Sequence, residues 1–206
     1  MEDWVHPILA FIAAHAAWAV VAAFVTALVE SFAFLSLLFP GTTLLIATGA
    51  LIGNGTLPRG PIVVGAVIGA VVGDAASYWL GRRYGGGIAR LWPFSRNPDM
   101  LPSGIRFFAR HGGKSVFIGR FFGALRATIP LAAGMMRMPR GWFWAANIAS
   151  ALVWAPMLLL AGDAVGEIGD RLFGSVNTVL LAFGGLTAIG LAGAVWAALR
   201  GRRPRR

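Results

Sequence analysis

The chain has no cysteine, one lysine (Lys114) and little charge of either sign. Charged residues make up 13% of its 206 residues, against about 25% in ordinary soluble domains. Without cysteine there is no disulfide scaffold and no thiolate chemistry. Eight acids and eighteen bases are too few to cover the surface of a soluble fold of this size. What fills their place is apolar: hydrophobic residues reach 57%, glycine contributes 28 positions, and mean hydropathy is +0.72. These proportions exclude a disordered chain and an ordinary soluble enzyme, and point to an all-α polytopic membrane protein.

The net charge of +10 comes almost wholly from arginine. No soluble basic module is present to carry it, so a nucleic-acid partner is not expected. Bases of this kind mark cytoplasmic loops. Four segments have the length of a membrane span: 7–29, 61–80, 142–161 and 176–199. The acidic start Met1-Glu2-Asp3 is unlike a secretory signal and is read as retained. Between the second and third spans stand Arg82, Arg83, Arg90, Arg96, Arg106, Arg110 and Lys114, offset by Asp99 alone; the loop 162–174 is acidic; the tail is arginine-rich. Both termini are therefore expected in the cytoplasm of a bacterial-type inner membrane. The stretch 86–114 mixes arginines with apolar residues as a helix lying on the cytoplasmic leaflet would.

Two further apolar stretches, 31–53 and 115–138, are interrupted. The first contains Pro40-Gly41; the second contains Arg120, Gly123, Arg126 and Pro130. Proline removes a backbone donor and glycine permits a reversal, so both stretches are expected to be re-entrant hairpins. Leu57-Pro58-Arg59-Gly60 recurs 81 positions later as Met138-Pro139-Arg140-Gly141, and the same offset carries Gly81 and Gly85 onto Gly162 and Gly166. The chain thus reads as one domain over 1–206, with repeats at about 30–85 and 115–166 and a final helix at 176–199. With hairpins dipping from opposite faces, the repeats are inverted, an arrangement that recurs among transporters. The G-x-x-x-G that starts at Gly81 is compatible with a homo-oligomer.

Ionisable groups at membrane depth cost roughly 2.5–3.5 kcal/mol each on insertion scales, so each needs a partner or a purpose. Four stand out: Glu30, Asp74, Arg120 and Arg126. His15 is read as a packed residue. Six residues apart on a straight helix, the two arginines would point about 120° apart. A break near Gly123 brings them to one cavity, where guanidinium groups suit bidentate phosphate recognition. Each arginine could equally pair with Glu30 or Asp74. Trp142, Trp144 and Trp154 read as anchors or packing. No metal cluster, cofactor motif or catalytic signature is present.

Glu30 with Phe39-Pro40-Gly41, then Gly73-Asp74 to Tyr78 with Gly81-Arg82, then Gly119-Arg120-Phe121 to Arg126 with Pro130, Gly134 and Met138-Pro139 together resemble the DedA (SNARE-associated, VTT-domain) family. The resemblance implies an inverted-repeat membrane fold that moves lipids between leaflets, with undecaprenyl phosphate or phospholipid as the partner molecule. It places Glu30, Arg120 and Arg126 on functionally essential family positions. One departure is Thr42, where many bacterial members carry Asp or Glu after Pro-Gly. If that acid couples transport to protons, Asp74 takes its place here or the protein is uncoupled. The sequence reading is thus a lipid flippase or scramblase, not an enzyme. Arg120 and Arg126 bind substrate, and Glu30 and Asp74 couple or gate. A proton-coupled ion or small-solute transporter and a membrane assembly protein are the alternatives.

Overall fold

A computed structural model describes residues 16–36, 41–53, 55, 57–90, 94–95 and 99–173. The described secondary structure is helical, with no strand. In chain order it comprises α1 (Ala16–Ser31), α2 (Gly41–Gly53), α3 (Arg59–Tyr84), a 3₁₀ segment (Gly85–Arg90), α4 (Met100–His111), α5 (Lys114–Gly119), α6 (Gly123–Met135) and α7 (Arg140–Phe173). The fourth expected span, both termini, His15 and Pro40 lie outside the described residues.

Two helices form the frame. α3 and α7 are long and apolar enough to cross a membrane, and 26 residues of α3 extend about 39 Å. They run antiparallel. Arg59 at the start of α3 pairs with Asp163 late in α7, Val71 accepts from Asn147, and Tyr78 stacks on Phe143 near the start of α7. Each helix opens on its own Pro-Arg-Gly sequence, so these two turns stand at opposite ends of the frame. Outward, α3 exposes Val64, Ile68, Val72 and Trp79, and α7 exposes Leu152, Met157 and Leu160. Apolar stripes of this extent suit hydrocarbon, where a water-facing helix would carry polar groups.

α1 lies along α3 through a row of glycines. A Cβ on Gly65, Gly69 or Gly73 would meet the backbone carbonyl of Val20, Phe24 or Leu28 respectively. The constant spacing makes α1 and α3 parallel, with the end of α1 level with the middle of α3. The turn that follows is anchored there, where the Ala33 N–H donates to Ser77 Oγ at 2.9 Å. This corrects an expectation. A first span over 7–29 followed by a hairpin from the far face requires the first helix to be antiparallel to α3. The small-residue row on α3 decides the direction, and apolar length carries no information about it.

The shorter helices cross-link the frame. α2 packs on α7 and α6 packs on α3. The contacts repeat residue for residue. Gly81 abuts the Leu131 carbonyl and Gly134 abuts that of Tyr78; correspondingly, Gly162 abuts the Ile46 carbonyl and Gly49 that of Leu159. The two halves therefore share one packing scheme, in which each short helix sits on the other half's long one. At 13 residues, α2 and α6 are about 20 Å long, too short for a bilayer core of about 30 Å.

Pro130 is not the break expected within 115–138. It is buried inside a continuous α6, whose contacts with α3 hold the helix despite the missing N–H. The helical run is interrupted at 120–122 instead, and Phe122 is extended (φ −108°, ψ 97°). Gly123 is the first residue of α6. The stretch expected on the leaflet surface contains the 3₁₀ segment and α4, which buries Leu101, Gly104 and Phe108 along one face and leaves Arg106 and Arg110 exposed.

Candidate functional site

The four charged residues singled out in the sequence meet between these helices as two ion pairs. Arg120, in the break between α5 and α6, bonds Asp74 midway along α3. Arg126, in the first turn of α6, bonds Glu30 at the end of α1 at 2.6 Å. Glu30, Asp74 and Arg120 are each at most 3% exposed. Charges this deep persist only when paired and hydrogen-bonded.

The break is what joins the pairs. Because the chain is extended at Phe122, the two guanidinium groups lie on the same indole, with their central carbons 5.7 Å (Arg120) and 5.4 Å (Arg126) from the Trp154 ring centre. Trp154 is itself buried, 2% exposed. Cation–π attraction to one ring contributes about 0.5–2 kcal/mol per arginine, more when water is excluded.

Polar neighbours complete the arrangement. Asn147 Oδ1 accepts from Arg120 at 2.7 Å, while its amide nitrogen donates to the Val71 carbonyl at 3.0 Å. Asn147 thus fixes Arg120 to both frame helices. The Thr42 hydroxyl donates to Glu30 Oε1, the same oxygen that accepts from Arg126. Gly41 lies directly on Glu30: a Cβ there would come within 2.8 Å of the glutamate Cβ and 2.9 Å of its carboxyl carbon.

The pairs do not exhaust their own hydrogen bonds. Arg120 Nε and Nη1, Arg126 Nε, Glu30 Oε2 and Asp74 Oδ1 are buried and have no hydrogen-bond partner among the described residues. Buried polar atoms are ordinarily satisfied. Three guanidinium nitrogens and two carboxylate oxygens are thus left open in a low-dielectric interior, groups able to bind an oxyanion or move a proton.

Of the residues expected to shape the hairpins, Gly41 and Gly123 begin helices at the site, Pro130 lies one turn beyond Arg126, and Pro40 is outside the described residues. Asn147 escaped the sequence reading, although an amide in an apolar span is a visible signal. Trp154 read as packing, and nothing in its sequence context marks it as the floor beneath two arginines. Among the described residues no cluster of His, Asp or Glu could hold a metal ion.

Known proteins share this sequence pattern. Residues 39–164 match the VTT domain. The chain is 34% identical to the inner membrane protein YabI of Escherichia coli over 161 residues, covering 78% of this chain and 63% of YabI. It is 35% identical over 137 residues to an uncharacterized membrane protein of Synechocystis, covering 63% of this chain and 60% of that protein. It is also 35% identical over 159 residues to an uncharacterized membrane protein of Mycobacterium bovis, covering 72% of each. The chain thus spans a little under two thirds of the length of YabI and the Synechocystis protein. No solved structure matches. With more than half of its length matched by the domain, and with relatives that are membrane proteins, the chain is a membrane protein of the VTT-domain, or DedA, family.

Proposed function

We propose that the protein is a lipid translocase that carries a phosphate-bearing lipid, such as undecaprenyl phosphate or a glycerophospholipid, between leaflets. The observation that carries this reading is the convergence of Arg120 and Arg126 on Trp154, with donors to spare on both guanidinium groups. A lipid phosphate offers the oxygens those donors lack, and its tails remain in the bilayer. Asp74 and Glu30 hold the arginines when no lipid is present, so phosphate and carboxylate compete for the same N–H groups. This competition keeps a buried cation paired at every stage, which the cost of an unpaired charge requires.

The fold supports the route. α1 and α2 form a hairpin that enters and leaves on the face where α3 begins; α5 and α6 form its counterpart on the face where α7 begins. The inner ends of the two hairpins bring Glu30 and Arg126 together. In this topology α3 and α7 cross fully, and Arg137 and Arg140 mark the side on which α7 starts. By the positive-inside rule that side is cytoplasmic.

The test is translocation of a fluorescent phospholipid in vesicles holding the purified protein, followed by chemical quenching of the outer leaflet. The protein should speed exchange well above the protein-free rate; equal rates overturn the reading. A second reading, proton-coupled solute transport, draws on the unpartnered oxygens of Glu30 and Asp74. It requires flux driven by a pH gradient with no lipid exchange.

A further inference from the structure

A groove of about 720 Å³ lies where α4, α5 and the start of α7 meet, apart from the paired charges. This volume is within the roughly 300–1,000 Å³ typical of ligand sites. Its walls include the rings of Phe108, Phe117 and Trp142, and its rim carries His111, Lys114 and Arg137. Trp142 is 72% exposed. The ring of His111 is tied to the Phe107 carbonyl at 3.0 Å. Among the described residues, the side chains of Lys114 and Arg137 have neither an ion-pair nor a hydrogen-bond partner.

Arg137 supplies a second, independent observation. Its φ is +54°, the left-handed region, and it is the one non-glycine residue there among those described. α6 ends in a Schellman turn: the Arg137 N–H donates to the Gly134 carbonyl and the Met138 N–H to that of Ala133, each at 3.0 Å. Glycine ordinarily fills this place, because a Cβ is strained in it. The turn is pinned rather than loose, since the Met138 carbonyl accepts from Tyr78 Oη at 2.6 Å and from Arg82 at 3.2 Å. These bonds hold the strained backbone in place, and they leave the Arg137 side chain, unpartnered among the described residues, fixed in direction and open to a ligand.

The location says what that is. Arg137 and Trp142 flank Arg140, the first residue of a membrane-length helix, and so lie at headgroup level, where tryptophan concentrates. A free anion would leave the aromatic walls unused, and a neutral lipid would leave two cations unpaired. We propose that this groove binds one anionic glycerophospholipid, its phosphate between Lys114 and Arg137 and an acyl chain along Phe108, Phe117 and Trp142. The site needs only that the protein be in a membrane, and it stands whether or not the central arginines move lipid.

The absence of native cysteine makes the test clean. Ala145 lines the groove, so Ala145→Cys gives one attachment point for a small bimane fluorophore. The labelled full chain is placed in phosphatidylcholine vesicles. These carry, at equal mole fraction, either chain-brominated phosphatidylglycerol or chain-brominated phosphatidylcholine. The brominated phosphatidylglycerol should quench several-fold more strongly. That preference should vanish when Lys114→Gln is combined with Arg137→Gly or with Arg137→Asn, both residues that suit a left-handed turn. Equal quenching by the two lipids, or a preference that survives in both combinations, overturns the proposal. So does a label shielded from both, as when residues 174–206 or a second copy fill the groove.

Discussion

Arg120 and Arg126, six residues apart and on opposite sides of a helix break, lie over the same buried indole of Trp154. An indole attracts both cations while adding no charge of its own. Trp154→Phe keeps an aromatic face and should retain most translocation. Trp154→Leu removes it and should slow translocation roughly tenfold, in keeping with about 0.5–2 kcal/mol per cation–π contact. Rates in vesicles, with thermal unfolding as the check on folding, decide between these outcomes.

The Arg120–Asp74 pair is fully enclosed, so its halves are unequal to the whole. Arg120→Ala leaves Asp74 buried without its ion-pair partner and removes the donor to Asn147 Oδ1. It should cost about 3–5 kcal/mol of stability. The double variant Arg120→Met/Asp74→Leu removes both charges and should recover most of that loss while remaining inactive. Unfolding in detergent, compared across the single and double variants, measures the difference.

Thr42 occupies the position where an acid is expected from the family resemblance, and its hydroxyl donates to Glu30. A second carboxylate would compete with Glu30 for Arg126; the hydroxyl instead adds a donor to the same oxygen. Thr42→Val should destabilise by about 1.5–3 kcal/mol, the usual worth of a hydrogen bond to a charged group. Thr42→Ser should be close to neutral, and chemical or thermal unfolding separates the two.

The matched glycine contacts predict matched consequences. Gly81→Val forces a side chain against the Leu131 carbonyl, and Gly162→Val does the same at Ile46. Overpacking of this kind costs typically about 1–3 kcal/mol. The two variants should lose similar stability, whereas Gly60→Val, where a Cβ meets nothing within 4 Å, should lose little.

Much of this site was legible because charge in an apolar stretch is conspicuous. Glu30, Asp74, Arg120 and Arg126 stood out by cost alone, and the 120° divergence of the arginines on a straight helix called for a break near Gly123. The rest depended on tertiary contact. The direction of α1 is set by which carbonyls meet Gly65, Gly69 and Gly73. Pro130 stays helical because α6 is clamped to α3. Trp154 gains its role from the two side chains that reach it, and Asn147 from bridging Arg120 to Val71. Periodicity and composition register none of these.

The central claim is that the buried arginines act on lipid phosphate through donors shared with carboxylates. Its most direct test is the phospholipid translocation rate of the double variant Arg126→Gln/Glu30→Gln, which keeps polar, hydrogen-bonding side chains at both positions while removing both charges. The account predicts a folded protein whose vesicles exchange lipid no faster than protein-free ones. Translocation at the wild-type rate in that folded variant would contradict it.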